Sequence, residues 1–452
     1  MKKFVFLAVA LCLVAAPAVF ADNYVVLFKG EGVPAGFAAT VAALGGTVTS
    51  SHAAGIASVS GLDAAGAAAL AKDNSVADVQ PDAILSLPAE GVMSADQAYI
   101  GDVSASSPTN PAGAFFFARQ WDYRAIGANI GWAAGRLGSP NVTVAILDTG
   151  IDYTHADLAG RVDLSRSVSF IPSDDALVAA FFPTRNPVTD LHFHGTHVAA
   201  TVSSNALAAA GMTSRVTLIG VKVLDVTGSG PFSAIFNGIL WAADHGADVA
   251  NMSLGTDFPK AHNGSFLGFY NRIFNYANRK GTLVVVAAGN DSIDLDHDGN
   301  NFNANCNAPN VVCVAATGPT ASAGVNGPWA NVDAPSFYTN FGRSAISVAA
   351  PGGNIGNNGA GTGGFVWEAC SRTSLQVPVC QTGTFVLGVI GTSQATPHVS
   401  GLAALLVEQV GHGNPSQVKA RLQQSADDLG ATGTDPFYGK GRINVPRAEG
   451  LQ

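Results

Sequence analysis

The sequence predicts an α/β fold with a parallel sheet flanked by helices, preceded by a small α+β unit. In the larger region, apolar strands such as VTVAILD and LVVVAAGN alternate with helical stretches near 233–245 and 267–279. Near-continuous apolar strands are typical of parallel sheets that are covered by helices on both faces. In such sheets, reactive residues gather beyond the carboxyl ends of the strands.

The smaller unit is predicted over residues 22–88. Its pattern is a strand, a helix over 34–44, two strands, a helix over 63–72 and a last strand VADVQPDAIL. This βαββαβ order is typical of ferredoxin-like folds. Residues 89–118 mix Pro, Ser, Gly and Asn without a sustained period, which indicates a linker before a second domain at 119–452.

The first 21 residues have the features of a secretory signal peptide. Lys2 and Lys3 precede an apolar run and small residues before Ala21. A membrane anchor is the weaker alternative, because the run is short and is interrupted by Pro17. We therefore expect a secreted protein without a membrane anchor, in either the periplasm or the extracellular medium.

The charge balance excludes some partners. Lys and Arg number 23 against 32 Asp and Glu, a formal net charge of -9, and no basic cluster follows the leader. A nucleic-acid or anionic-membrane partner is therefore not expected. We expect a monomer.

Three segments together supply the parts of an activated serine nucleophile. Asp148 ends the apolar strand in VAILDTGID, His194 lies in HFHGTHVAA before a helix, and Ser393 lies in GTSQATPHVSG at the start of another helix. A serine becomes nucleophilic when a histidine removes its proton and a carboxylate orients that histidine. Alone, Ser393 could equally be a helix cap.

Neighbouring residues offer alternatives for the acid and the base. His192 and His197 flank His194, and three histidines could form a metal site, but HExxH spacing is absent. Asp152 competes with Asp148. Because Asp148 ends the buried strand, it is better placed to face a histidine.

These segments resemble the subtilisin-like serine peptidases, or subtilases. The order Asp, His, Ser is that of subtilisin, and His194 matches the first His of the family's HGTHVA motif. The resemblance covers about residue 120 to the C-terminus. It implies a serine endopeptidase that requires no cofactor for its chemistry.

The resemblance also implies roles outside the triad. VVVAAGN at 284–290 looks like the family's oxyanion-hole strand, with Asn290 as a donor. NMSLG resembles the segment that pairs with an extended substrate, so Ser253, Leu254, Gly255, Ala288 and Gly289 would line the primary pocket. A plain core strand is the alternative for NMSLG. The first unit resembles the inhibitory propeptide of subtilases, which blocks the site until it is cut. An unrelated ferredoxin-like binding module is the alternative.

An acidic stretch follows Asn290. In DSIDLDHDGNN, Asp294, Asp296, Asp298 and Asn300 occupy alternate positions, as in the first half of an EF-hand calcium loop. No bidentate Glu follows at position twelve. A structural calcium site and a solvated acidic loop both remain open.

Four cysteines follow the leader, and an even number in an exported chain suggests two disulfides. Three pairings are open. The local pairs Cys306–Cys313 and Cys370–Cys380 need the least loop closure. A four-thiolate metal site is the alternative, but CxxC spacing is lacking.

The sequence leaves two other functions to consider, an esterase and a catalytically silent binding protein. An esterase would call for a GxSxG elbow and the order Ser, Asp, His, which the triad segments lack. A catalytically silent binding protein would not need every triad and oxyanion position filled. We predict a secreted serine endopeptidase made as a self-inhibited precursor.

Overall fold

A computed structural model describes residues 22–87, 94–98, 108–255, 257–259, 266–297, 301–303, 305–356 and 359–451. The predicted signal peptide, residues 1–21, lies outside the described residues. The chain divides into two compact units, Met1–Asp82 and Ala83–Gln452.

The first unit has the βαββαβ order. Its sheet order is β2-β3-β1-β4, with antiparallel pairing throughout. Helix α2 begins where the side chain of Asp63 accepts a hydrogen bond from Gly66 N at 2.6 Å. The elements are β1 (Asp22–Phe28), α1 (Phe37–Ala43), β2 (Thr47–His52), β3 (Ile56–Leu62), α2 (Ala64–Leu70) and β4 (Val76–Pro81).

The second unit carries the larger sheet and its helices. Its elements are β5 (Ile84–Ser86), β6 (Ser94–Ala98), α3 (Trp121–Ala125), α4 (Ala128–Ala133), β7 (Thr143–Asp148), β8 (Val168–Ser169), α5 (Pro172–Phe181), α6 (His194–Val202), β9 (Thr217–Lys222), β10 (Ser229–Pro231), α7 (Phe232–Asp244), β11 (Val249–Met252), β12 (Asp257–Pro259), α8 (Phe266–Lys280), β13 (Leu283–Ala287), β14 (Asn301–Asn303), β15 (Val311–Gly318), β16 (Ala321–Ser322), β17 (Trp329–Ala330), β18 (Ala334–Pro335), β19 (Val348–Pro351), β20 (Val366–Ala369), β21 (Thr384–Val389), α9 (Thr392–Val410), α10 (Pro415–Gln424) and α11 (Val445–Ala448).

The central sheet is mostly parallel, as the apolar strands predict. Its order is β18-β15-β13-β11-β7-β9-β8, and β19 also pairs with β15. Only the β15–β18 pair within this sheet is antiparallel, among the strands that the structure describes. Because β7, β11 and β13 are parallel neighbours, their carboxyl ends meet at one edge. The predicted fold class is confirmed.

Helix α9 crosses this sheet and is buried along most of its length. It packs on β11, β13, β15 and β19 and against α6. Residues Thr392 to Val407 of α9 are all buried, including the mostly apolar stretch that follows Pro397. A helix surrounded by core is held rigidly, and this helix carries Ser393.

Parts of two predicted segments lie in different elements from those expected. The strand predicted over VADVQPDAIL divides in two: β4 ends at Pro81, and β5 pairs instead with β10. Within the predicted linker, β6 pairs antiparallel with β21. Its sequence SADQA has low strand propensity, so tertiary pairing with the β21 edge outweighs local preference there.

Over the stretches of chain described above, no helix combines enough length with enough apolar character to cross a bilayer.

Candidate active site

Three adjacent strands end in residues of the site. Asp148 is the last residue of β7, Ser253 follows β11, and Asn290 lies three residues after β13. The parallel register therefore brings these residues to one edge of the sheet. The two remaining groups come from helices: His194 is the first residue of α6, and Ser393 is the second residue of α9.

Asp148 and His194 are in direct contact. Nδ1 of His194 lies 2.7 Å from Oδ1 of Asp148, and both side chains are fully buried. A glycine makes this approach feasible, because a Cβ at Gly195 would lie 2.1 Å from Gly150 O. The carboxylate thus fixes the tautomer of the ring and leaves Nε2 as the nitrogen for proton transfer.

Ser393 lies at the start of α9, which packs against α6. Its side chain is 5% exposed, and Oγ donates a hydrogen bond to Ser253 O at 3.0 Å. Oγ of Ser253 in turn donates to Ser393 O at 2.8 Å. Because a hydroxyl carries one proton, transfer to His194 requires that this proton turn away from Ser253 O.

Asn290 faces the same helix start. Its Oδ1 accepts hydrogen bonds from Thr392 N at 2.9 Å and from Thr392 Oγ1 at 2.8 Å. A Cβ built on Gly391 would lie 2.7 Å from Gln394 Oε1, 3.4 Å from Asn290 Nδ2 and 3.6 Å from Ser393 N. Two N–H donors therefore lie close together beside Gly391, an arrangement that suits an oxyanion.

Two of the predicted pocket residues contact the start of α9. Ser253 bonds to Ser393, and Gly289 N donates to Thr392 Oγ1 at 3.1 Å. Ser253 and Leu254 are buried after β11, and Ala288 is buried after β13. Gly255 and Gly289 are half-buried.

A strand of the chain itself lies along β10. Strand β5 pairs antiparallel with β10, with Leu85 opposite Gly230. Leu87 N donates to Gly228 O at 2.8 Å, and Leu85 is 5% exposed. Gly230 packs closely on Val223, whose N donates to Asp148 O at 2.9 Å. This pairing therefore lies near the Asp148 end of the site.

Asp190 joins the two loops that carry the acid and the base. One oxygen accepts from Thr149 Oγ1 at 2.9 Å and from His192 N at 2.9 Å. The other accepts from Thr196 N at 3.0 Å and Thr196 Oγ1 at 2.6 Å. Burial raises the pKa of Asp190 to about 6, although these donors oppose that shift.

Sequence reasoning missed Asp190, Thr149 and Thr392. Each lies within four residues of a predicted site residue, but an Asp or Thr beside a motif carries no distinguishing pattern. Their importance depends on contacts such as Thr149 to Asp190, which join positions 41 residues apart.

The competing residues have other partners. Asp152 accepts from Arg185 Nη1 at 3.1 Å and from Arg372 N at 2.9 Å, so it braces loops. Nε2 of His197 lies 3.1 Å from Leu387 O, and burial lowers the pKa of His197 to about 3. Burial also lowers the pKa of His192 to about 4. Among the described residues, no His, Cys, Asp and Glu group of three or more could hold a metal.

The acidic stretch is described only in part, because Asp298 and Asn300 lie outside the described residues. Asp294 Oδ1 accepts from Asp296 N at 3.0 Å, and its Oδ2 lies 2.9 Å from His297 Nδ1. Asp296 accepts from Ser344 N and Oγ. Both described carboxylates have the oxygen chemistry that calcium prefers, and both are engaged by protein donors.

The cysteines form the two local disulfides, Cys306–Cys313 and Cys370–Cys380. The favoured pairing is therefore confirmed, and the four-thiolate alternative is wrong. All four side chains are buried.

The chain is similar to known proteins over most of its length. The Subtilase family model matches residues 139–441. Thermitase of Thermoactinomyces vulgaris is 32% identical over 345 residues, 76% of this chain and 99% of that protein. Subtilisin E of Bacillus subtilis is 33% identical over 319 residues, 70% of this chain and 67% of that protein. The thermophilic serine proteinase of Bacillus sp. AK1 is 33% identical over 68% of this chain, which spans only 61% of that relative.

Solved structures agree on the fold. The epidermin leader peptide processing serine protease EpiP of Staphylococcus aureus has a TM-score of 0.71 at 22% identity, covering 95% of this chain and 97% of that one. A lanthipeptide protease has a TM-score of 0.61 at 25% identity, covering 77% of this chain and 99% of that one. From the matched region and these relatives, we conclude that the chain belongs to the subtilase family and is a subtilisin-like serine protease.

Proposed function

We propose that the protein is a secreted endopeptidase that cleaves proteins or peptides through an acyl-enzyme, with Asp148, His194 and Ser393 as its triad. The contact of 2.7 Å between buried Asp148 and His194 carries the proposal. In a serine–histidine–aspartate triad, a carboxylate in this position fixes the imidazole tautomer and stabilises the imidazolium that forms when the serine loses its proton. No cofactor enters the chemistry.

In the first half-reaction, Ser393 Oγ attacks the carbonyl carbon of the scissile bond. His194 Nε2 takes the hydroxyl proton, and Asp148 stabilises the imidazolium through Nδ1–H. The carbonyl oxygen becomes an oxyanion that accepts from Asn290 Nδ2 and Ser393 N. His194 then gives its proton to the amine nitrogen, the C–N bond breaks, and the acyl-enzyme remains.

Water completes the reaction by the same steps. His194 removes a proton from water while the oxygen attacks the acyl carbon, and the same two donors hold the second oxyanion. The bond to Ser393 Oγ then breaks, and His194 returns the proton to Oγ. The product acid leaves and the serine is restored.

Residues 22–88 serve in this proposal as an inhibitory propeptide. Support comes from β5, which follows the first unit and occupies β10 by main-chain pairing, as an extended substrate would. The buried Leu85 anchors it. A precursor whose own strand fills the substrate position is inactive until the chain is cut and released.

The proposal extends to location and to a structural ion. The leader supports export, and we expect a monomer. Calcium would be held by Asp294, Asp296, Asp298 and Asn300, where it would tie the loop after Asn290. Its binding would displace His297 and Ser344 from the two described carboxylates.

The triad is tested with Ser393→Ala, using Ser165→Ala, an exposed serine, as the matched control. We expect the wild type and Ser165→Ala to react with a fluorophosphonate and to cleave casein. Ser393→Ala should do neither, and mass spectrometry should find its residues 22–88 still attached. Turnover of casein by Ser393→Ala would overturn the proposal.

A further inference from the structure

The disulfide Cys370–Cys380 closes a loop that lies on the segment before His194. We define this disulfide loop as residues 370–380, between β20 and β21. The segment it covers, 182–193, has neither helix nor strand structure. No sheet or helix ladder therefore fixes the backbone that delivers His194 to Asp148, and other contacts must do so.

The disulfide loop donates to three consecutive carbonyls of that segment. Ser371 Oγ and Thr373 Oγ1 donate to Asp190 O at 2.7 and 2.8 Å. Leu375 N donates to Leu191 O at 2.8 Å, and Ser374 Oγ donates to His192 O. Each carbonyl is far from the loop in sequence, so these contacts exist only while the loop keeps its shape.

The disulfide itself packs against the residue before the base. Cys370 and Cys380 are fully buried in an apolar cluster with Phe193, Phe385 and Leu387. The cluster holds the apolar side of the segment while the hydrogen bonds hold its carbonyls. The position of segment 182–193 is thus fixed on two sides.

The same loop reaches the substrate edge. Gln376 Nε2 donates to Val226 O at 2.8 Å, in the turn that precedes β10. The disulfide loop thereby links the His194 segment to the strand on which β5 pairs.

We propose that the disulfide loop is a positioning clamp for His194: its covalent closure holds Asp190, Leu191 and His192 so that the imidazole stays aligned between Asp148 and Ser393. This rests on the proposed function. None of the loop residues touches the reacting atoms, so their effect is exerted through His194. A displacement of about 1 Å in a catalytic group can lower the rate about 100-fold.

The test removes the Cys370–Cys380 disulfide and compares the effect with that of removing the Cys306–Cys313 disulfide. Cys370→Ala/Cys380→Ala is measured beside Cys306→Ala/Cys313→Ala, on a short chromogenic peptide and well below each melting temperature. We expect both variants to lose thermal stability. Only the first should lose kcat, by about 10- to 100-fold, with KM changed less than threefold and with slower fluorophosphonate labelling.

A second set of variants keeps the bridge, in case its removal prevents folding. Thr373→Val removes one hydroxyl from Asp190 O, Thr373→Ser retains it, and Thr382→Val changes a hydroxyl that bonds only to Val379 O among the described contacts. We expect kcat to fall in Thr373→Val and to recover in Thr373→Ser. Thr382→Val should match the wild type.

The outcomes separate the clamp from the proposed function. Wild-type kcat in both Cys370→Ala/Cys380→Ala and Thr373→Val, with Ser393→Ala inactive, would overturn the clamp alone. Equal loss of kcat in the two disulfide variants would also overturn it, because general destabilisation would then suffice. Residual turnover in Ser393→Ala would instead reject the triad.

Discussion

Asn290 and Thr392 are joined by two hydrogen bonds, because one amide oxygen accepts from both the backbone N and the hydroxyl of Thr392. With its oxygen held by α9, the amide of Asn290 has only its nitrogen to offer the space beside Gly391. Helix α9 therefore positions both proposed oxyanion donors: Ser393 N directly, and Asn290 Nδ2 through Thr392.

Asn290→Ala should lower kcat about 100- to 1000-fold, the loss measured for such a donor in subtilisin, a relative of this chain. KM should change little, because the donor acts on charge that develops in the transition state. Steady-state kinetics on a peptide anilide measure both. Asn141→Ala, at an exposed asparagine, is the control, and a pure KM effect would contradict the assignment.

Thr392→Val should lower kcat about threefold to tenfold, because a net hydrogen bond contributes about 1 kcal/mol. The variant keeps the backbone bond to Asn290 but loses the two bonds of the hydroxyl, to Asn290 Oδ1 and from Gly289 N. Thr392→Ser keeps the hydroxyl and should retain most of the activity. If the serine variant falls as far as the valine variant, packing rather than orientation of Asn290 explains the loss.

Asp190→Asn tests the link between the two loops through its pH dependence. Because the folded-state pKa of Asp190 is about 6, the folded chain holds a proton that the unfolded chain has lost between about pH 4 and 6. The contribution of Asp190 to the free energy of unfolding therefore falls as pH rises through that window. Denaturation at pH 4.5 and 7 should show that Asp190→Asn loses this dependence.

Asp163→Asn is the control, because the pKa of Asp163 is shifted in the opposite direction from that of Asp190. Hydrogen bonds from Ser165 contribute most to lowering the pKa of Asp163 to about 2. Its stabilising contribution is present above about pH 4 and is lost as pH falls toward 2. If Asp190→Asn and Asp163→Asn change the pH dependence of the free energy of unfolding in the same direction, burial does not raise the pKa of Asp190.

His197→Gln should make the protein less sensitive to acid. Burial lowers the pKa of His197 to about 3, so below about pH 6.5 the unfolded chain gains a proton that the folded chain does not. Stability is then lost as pH falls from about 6.5, at up to about 1.4 kcal/mol per pH unit. The melting temperature should drop less between pH 6.5 and 4.5 in the variant than in wild type.

The exposed His412 provides the comparison, since its side chain is 59% accessible. His412→Gln should leave the acid dependence of the melting temperature closer to that of wild type. If the two variants behave alike, the burial of His197 does not govern the acid response.

Calcium should raise the melting temperature, because a ligand held at 100 times its Kd stabilises by about 2.7 kcal/mol. Asp296→Asn should remove the response by weakening the proposed ligand set. Asp163→Asn lies in another turn and should keep it. Thermal unfolding with calcium and with a chelator measures the effect, and identical curves for the wild type would exclude the site.

The sheet, and the edge of it at which the candidate site residues meet, were predictable because their signals are local. An apolar strand ending in Asp148 and a helix starting at His194 each have a pattern within about ten residues, and the parallel fold then brings strand ends together. Asp190 and Ser371 had no such pattern, since their roles come from contacts made across the fold. The sequence also showed no sign that β5 separates from β4, because β5 pairs with a strand that is distant in sequence. Ser86 of β5 lies opposite Ser229 of β10, 143 residues further along the chain.

The two covalent cross-links also bear on self-digestion. A single hydrolysed peptide bond between Cys370 and Cys380, or between Cys306 and Cys313, would leave both pieces of polypeptide tethered through sulfur. Such nicked molecules would migrate as intact protein on a gel run without reductant and would separate into fragments once thiol was added. A protease that encounters its own copies at high concentration could thus accumulate broken peptide bonds without losing a fragment, since each break adds only one water to the molecule.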